Sequence, residues 1–359
     1  MYQKKNFRLN NTEDKAVVLT VKENFELLGE DSISVNFLEE NLQKIRSHVI
    51  RNELEEALKL RNYLALFEAE MNDVLCYYFQ KYTGNIAYAN EEYAEALTYY
   101  QKAEERLNNT PESFSEKEIA DLHYSIGLAA YHTSNPCLVF SHTEKALSIY
   151  SKGEKGYRVP ECYVNLSLAE KQSLNFRSSL EYLKKAVEAC ETNDYALTKF
   201  TIKFNYAYTF LQFHDYEKVI EYTNDCIQYL SAEQNCDRLL CYSTLIKAYL
   251  GLDDIFAAKE VIVKADEVIG SLTELLKNEN SLNDIVNEYI GLRAYVLEDN
   301  ELYENHLVHK VLPRIEELGH EYELNYYSYQ LGKFYLKTNQ SEKMMEVMSK
   351  LIDRKQKTT

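Results

Sequence analysis

Asn165 and Asn205 stand 40 residues apart, and each carries an amide that can both donate to and accept from an extended peptide backbone. A backbone held by such amides gains affinity without a demand on sequence, while pockets beside it supply selection. Tyr131, Lys171, Gln172, Tyr208, Gln212, Ser243 and Lys247 are the neighbouring candidates, and the two lysines can meet a peptide carboxylate. Other chemistry finds less support. His306 and His309 lie three apart with His320 nearby, but no Cys or carboxylate completes a zinc set at fixed spacing. The expectation is no metal and no cofactor. No phosphate-binding glycine loop, nucleophile elbow or HExxH string occurs, so no catalytic residue is assigned.

Charge narrows the partners. The chain has 359 residues with 40 Lys+Arg against 57 Asp+Glu, a net charge of −17. Binding to a duplex needs clustered cations, and stacking of single strands on the 31 tyrosines needs a cationic groove. No dense basic run occurs and a charge of −17 argues against such a groove, so no direct nucleic-acid binding is expected. Charges interrupt every apolar stretch, so no bilayer span is expected. Met1 to Asn11 is polar with no apolar run of signal-peptide length after it, and the seven scattered Cys read as reduced thiols. These features point to the cytoplasm. Only 10 Gly and 4 Pro leave little room for a many-turned β protein, and the class is all-α.

The elements that must hold these side chains come from a repeat. In Tyr77 to Glu104, Gly84 is followed by Ala96, Tyr100 and Ala103 at steps of twelve, four and three. This small–small–aromatic–small spacing resembles the tetratricopeptide (TPR) pattern, in which two antiparallel helices approach closely. The position of Gly84 recurs as Gly127, Ser167, Ala207, Ile246, Gly291 and Gly332, at steps of 43, 40, 40, 39, 45 and 41. That of Ala103 recurs as Ala146, Ala186, Cys226 and Ala265, but a Lys, Lys310, falls there in the sixth unit. Phe37 to Ile50 and Asn52 to Met71 predict a further helical hairpin, with Ala57 where a degenerate eighth repeat puts it. Residues 1–33, with one apolar stretch at Ala16 to Val21, give no reading.

Seven or eight hairpins stacked in this way predict a right-handed TPR-like superhelix with a concave inner face. Residues 1–75 form an N-terminal helical region able to bind a partner, and 76–359 the repeat domain with a C-terminal cap. Joining loops are expected at Asn108 to Pro111, Ser151 to Pro160, Ser231 to Cys236 and Lys277 to Leu282. Tyrosine suits the inter-helix positions, with its ring inside and its hydroxyl toward solvent.

The segment Tyr77 to Glu104, the stretch ALSIY at 146–150, VLPRIEELGHEYE at 311–323 and the closing segment Leu331 to Lys357 resemble the Rap proteins, peptide-sensing regulators of Gram-positive bacteria. The resemblance spans residues 75–357. It implies a cytoplasmic quorum-sensing receptor for a short re-imported peptide, which switches its hold on a response regulator or other regulatory protein. It also implies that Asn205 matches the first Asn of a motif in the Rap peptide site, whose second Asn is replaced here by Tyr208. Rap phosphatases place an amide beside an aspartyl phosphate within an acidic–Gln–acidic stretch. Gln43 in EENLQKIR departs from that pattern. The alternatives are a response-regulator aspartate phosphatase and a constitutive TPR scaffold.

Overall fold

The computed structural model describes residues 35–153, 158–190, 196–231, 233–272, 280–318 and 321–358. The apolar stretch Ala16 to Val21 and His320 lie outside them. Every extended element among the described residues is a helix, as in a TPR-like fold. The first unit, residues 1–169, contains α1 (Val35–Ile50), α2 (Leu54–Leu64), α3 (Asp73–Ala89), α4 (Tyr93–Asn109), α5 (Glu116–His132), α6 (Pro136–Tyr150) and most of α7 (Val159–Gln172). The second, residues 170–359, holds α8 (Phe176–Cys190), α9 (Ala196–Gln212), α10 (Tyr216–Gln228), α11 (Asn235–Gly251), α12 (Ile255–Leu272), α13 (Asn280–Val296), α14 (Asn300–His306), α15 (Leu312–Glu317), α16 (Glu321–Lys337) and α17 (Ser341–Thr358). Helix α13 starts inside the stretch expected as a loop at 277–282, because Asn280 already belongs to it.

Side-chain size decides where the helices touch. A Cβ added to Gly84 would lie 2.6 Å from Tyr100 Cε1 and 3.3 Å from the Ala96 carbonyl oxygen, so the three residues of the repeat pattern meet in one place. Ala96, Tyr100 and Ala103 are fully buried there. The same register buries Ala146, Ala186, Cys226 and Ala265 completely. Ile246, the poor fit at the glycine position, is also fully buried.

Each hairpin turns in one way. Glu91, Ser134, Leu174, His214, Asp253, Glu298 and Asn339 all have φ between 53° and 68°, and each stands seven residues after its unit's glycine position. Asn52, at φ 61°, makes the same turn between α1 and α2. Ile45 thereby takes the glycine position and Ala57 the first small position, both buried. The degenerate eighth repeat is therefore a true repeat in its backbone. Its core of Leu38, Leu42, Ile45, Ala57 and Leu64 continues into Leu75, Phe79 and Tyr82 of α3.

Where the pattern fails in the sixth unit, the helix changes. Leu307–Val311 forms a π turn between α14 and α15, and a π turn carries an extra residue. Tyr303, Leu307 and Val311 face the core while Lys310 is exposed. The inserted residue moves the contact position from Lys310 to Val311.

The tyrosine hydroxyls depart from expectation. Many donate to protein groups rather than reaching solvent: Tyr100 to Asn85 Oδ1 at 2.9 Å, Tyr150 to Asp121 at 2.5 Å, Tyr289 to Asp266 at 2.6 Å and Tyr335 to Glu304 at 3.0 Å. A buried hydroxyl left without a partner is costly, and an acidic chain offers carboxylates on adjacent helices.

Two substitutions test this packing by urea titration. Gly84→Ala, facing a Tyr100 ring with no room to move, is expected to cost about 1–3 kcal/mol. Leu174→Gly relieves a left-handed conformation in an exposed turn and is expected to gain up to about 1 kcal/mol.

Candidate functional site

In the second unit, the first helices of successive hairpins bring together groups far apart in sequence. Lys171, in the last turn of α7, holds its Nζ 4.6 Å above the ring of Tyr208 on α9. The Tyr208 hydroxyl donates to Glu323 Oε1 at the start of α16, 115 residues away. Tyr208 also stacks on Phe204 one turn earlier, at 6.4 Å between ring centroids, which fixes the ring. Lys171 makes no ion pair within 4.0 Å among the described residues. Burial pushes its ammonium pKa down to about 8, and the Glu323 charge only partly opposes this.

Lys247 on α11 has a different fate. Its Nζ lies 2.5 Å from Glu288 Oε1 on α13, and both side chains are largely buried. The Tyr327 hydroxyl of α16 donates to the same carboxylate oxygen, and the ammonium sits 5.3 Å from the Tyr327 ring. An equivalent trio stands in the first unit, with Lys81 2.5 Å and the Tyr77 hydroxyl 2.9 Å from Glu118 Oε1. Burial alone would raise the Glu118 carboxyl, but the Lys81 charge and these hydrogen bonds outweigh it and hold the carboxyl below its usual range. The two trios neutralise buried charge; Lys171 keeps its own.

The amides are placed deeper than the lysines. Asn165 is fully buried, with Nδ2 donating to Thr143 Oγ1 at 2.8 Å and Oδ1 without a partner among the described residues. It also fills the space beside Gly127, where a Cβ would come within 2.9 Å of Nδ2. Asn205 is buried as well, and its Nδ2 donates to the Thr201 carbonyl of its own helix at 2.9 Å. Both amides therefore spend a donor inside the protein. Gln212 Oε1 and Ser243 Oγ are buried without hydrogen-bond partners among the described residues, whereas Gln172 is half-buried. Tyr131 packs against Ala130, Val139 and Ala169. Gln43 is exposed on α1. His306 Nδ1 faces the Leu302 carbonyl at 3.3 Å and His309 is exposed.

Sequence reading did not find Glu288, Glu323 or Tyr327. Glu288 has a legible signal, since it lies 41 residues beyond Lys247, about one repeat. Glu323 has none, because no periodicity links it to Tyr208.

No protein-family model matches the chain. The transcriptional activator NprA of Geobacillus stearothermophilus is 25% identical over 340 residues, covering 91% of this chain and 79% of its own length. Response regulator aspartate phosphatase E of Bacillus subtilis is 25% identical over 141 residues, 38% of this chain and 37% of its own. The apo quorum sensor NprR from B. thuringiensis superposes with a TM-score of 0.71 at 15% identity, over 90% of this chain and 89% of that one. A Rap protein complexed with competence and sporulation factor gives 0.73 at 16% identity, over 91% and 88%. Fold and register together define a tetratricopeptide-repeat protein. Within that class the chain is similar in sequence to NprA and in fold to the NprR and Rap structures.

The Lys247–Glu288 pair gives a direct test. Glu288→Ala leaves a buried ammonium unpaired and is expected to cost about 3–5 kcal/mol by urea denaturation. The double variant with Lys247→Met should recover much of that loss.

Proposed function

We propose that the chain is a cytoplasmic receptor for a short signalling peptide, and that peptide binding switches its hold on a regulatory protein partner. The relatives support a peptide ligand: NprR with its cognate peptide NprX, and the Rap protein of plasmid pLS20 with the Phr* peptide, share this fold. The observation that carries the reading is Lys171. An ammonium kept half-buried without an ion pair is a standing electrostatic cost, and a ligand carboxylate relieves it. Tyr208 beneath it supplies an aromatic face, and its hydroxyl holds Glu323.

The proposed peptide contacts in the second unit are Lys171, Tyr208, Gln172, Gln212, Ser243, Lys247 and Asn205; in the first unit, taken by itself, they are Asn165 and Tyr131. Asn205 would exchange an i−4 bond within its own helix for the peptide backbone, a modest change. Switching requires different peptide affinity in the two states of the receptor, because equal affinity shifts nothing.

Short synthetic peptides in a thermal-shift screen test the receptor, since a ligand of the native state raises the midpoint. For a peptide that does so, Lys171→Met is expected to weaken binding at least tenfold by calorimetry, with the circular dichroism unchanged. Affinity should also depend on pH with a definite sign. The free lysine titrates near 8 and a bound carboxylate raises that value, so binding takes up a proton above pH 8 and weakens by up to about tenfold per unit. A flat profile between pH 7 and about 9.5, or undiminished binding by Lys171→Met, would remove Lys171 from the site. If no peptide moves the midpoint, the scaffold reading stands instead.

A further inference from the structure

In the first unit, three consecutive helices converge on a group of side chains that the peptide reading does not use. Glu104 of α4, His123 of α5 and His142 of α6 bring one ligand atom each within 4.8 Å of the others. The His123 and His142 Nδ1 atoms are 3.1 Å apart. Glu104 Oε1 lies 3.6 Å from the first and 3.7 Å from the second. Both histidines are buried and Glu104 is partly exposed.

We propose that Glu104, His123 and His142 form a binding site for a divalent transition metal, best suited to Zn²⁺, that ties α4, α5 and α6 together. The argument is geometric. Zinc bonds of about 2.0–2.2 Å to nitrogen and oxygen, in tetrahedral array, set neighbouring ligand atoms about 3.3–3.5 Å apart. The three observed separations straddle that value. A point about 2.1 Å from all three atoms exists without moving any of them. Two imidazoles and one carboxylate are also a known catalytic-type donor set, which leaves the fourth position for water.

The alternative to a metal is a hydrogen bond between the rings, in which one Nδ1 donates to the other. That bond occupies the imidazoles but does not account for a carboxylate oxygen meeting both nitrogens. Two imidazolium ions would repel at this distance. Lys145 Nζ stands 3.9 Å from Glu104 Oε1 and competes for it, but its side chain is 55% exposed and free to swing into water.

The repeat explains why these residues meet. Glu104 follows the buried contact residue Ala103, and His142 precedes the equivalent Ala146 by one turn. His123 precedes Gly127 by one turn. The close backbone approach at the small positions brings their neighbours within ligand distance. Sequence reading missed the set because 19 residues separate each from the next, unlike any compact metal motif.

The test uses the full chain, stripped with a chelator and titrated with Zn²⁺ alone by calorimetry. One equivalent should bind and raise the thermal midpoint. Co²⁺ in its place should show visible ligand-field bands without thiolate charge transfer, which separates this site from the exposed Cys137. Glu104→Gln and the double variant His123→Gln/His142→Gln should each weaken binding at least tenfold. Glu104→Gln, at the partly exposed position, keeps the test readable if the double variant fails to fold. Absence of a saturable equivalent at micromolar zinc, thiolate charge transfer in the cobalt spectrum, or unchanged affinity in folded Glu104→Gln would overturn the site.

Discussion

The close approach of two helix backbones at one point in each hairpin is the constraint on which the structure depends. Gly84 lies so near Tyr100 that even a methyl group has no place, and Ala96 and Ala103 complete the contact without exposure. The left-handed residue seven positions on fixes how the chain returns. Together these set the rotation of one hairpin on the next, and so decide which side chains leave the core. Lys171, four residues after the small position Ser167, and Tyr208, one residue after Ala207, meet because their units repeat this geometry.

Tyrosine and carboxylate act as a pair in this protein. With no Trp and 31 Tyr among 57 acidic residues, the interior acquires aromatic area that carries a donor at its tip. Tyr77, Tyr150, Tyr208, Tyr289, Tyr327 and Tyr335 all give that donor to an Asp or Glu. In the Lys81–Glu118–Tyr77 and Lys247–Glu288–Tyr327 trios the carboxylate accepts from both an ammonium and a phenol. Partial burial of ionised groups is tolerable when the remaining lone pairs are satisfied in this way. The same chemistry makes Lys171 exceptional: its nearby acid, Glu323, is engaged by Tyr208 and forms no ion pair with it. Net negative charge thus has an internal use besides its influence on partners.

The π turn at Leu307–Val311 shows how the fold absorbs an imperfect unit. A lysine at the contact position would bury a charge between helices. One added residue per turn rotates the following segment, exposes Lys310 and supplies Val311 in its place. The departure visible in the sequence is therefore a change of register rather than a missing repeat. The first hairpin shows the converse. Ala57 keeps the small residue of the pattern but Ile45 replaces the glycine, yet Asn52 reproduces the common turn, because backbone conformation and burial tolerate a residue that a sequence pattern rejects.

The sequence by itself determined the all-α class, the forty-residue repeat, the packing register and the exclusion of common catalytic motifs, because local periodicity and residue size act over one or two helical turns. It also placed Lys171 and Tyr208 among the candidates. Only the tertiary structure decided that Asn165 and Asn205 are buried with internal bonds, that Lys247 is neutralised and that Lys171 is not. It alone joined Tyr208 to Glu323 across 115 residues, and Glu104 to His123 and His142. Such contacts depend on the summed rotation of successive hairpins, and a small angle accumulated over several units is written in no single residue.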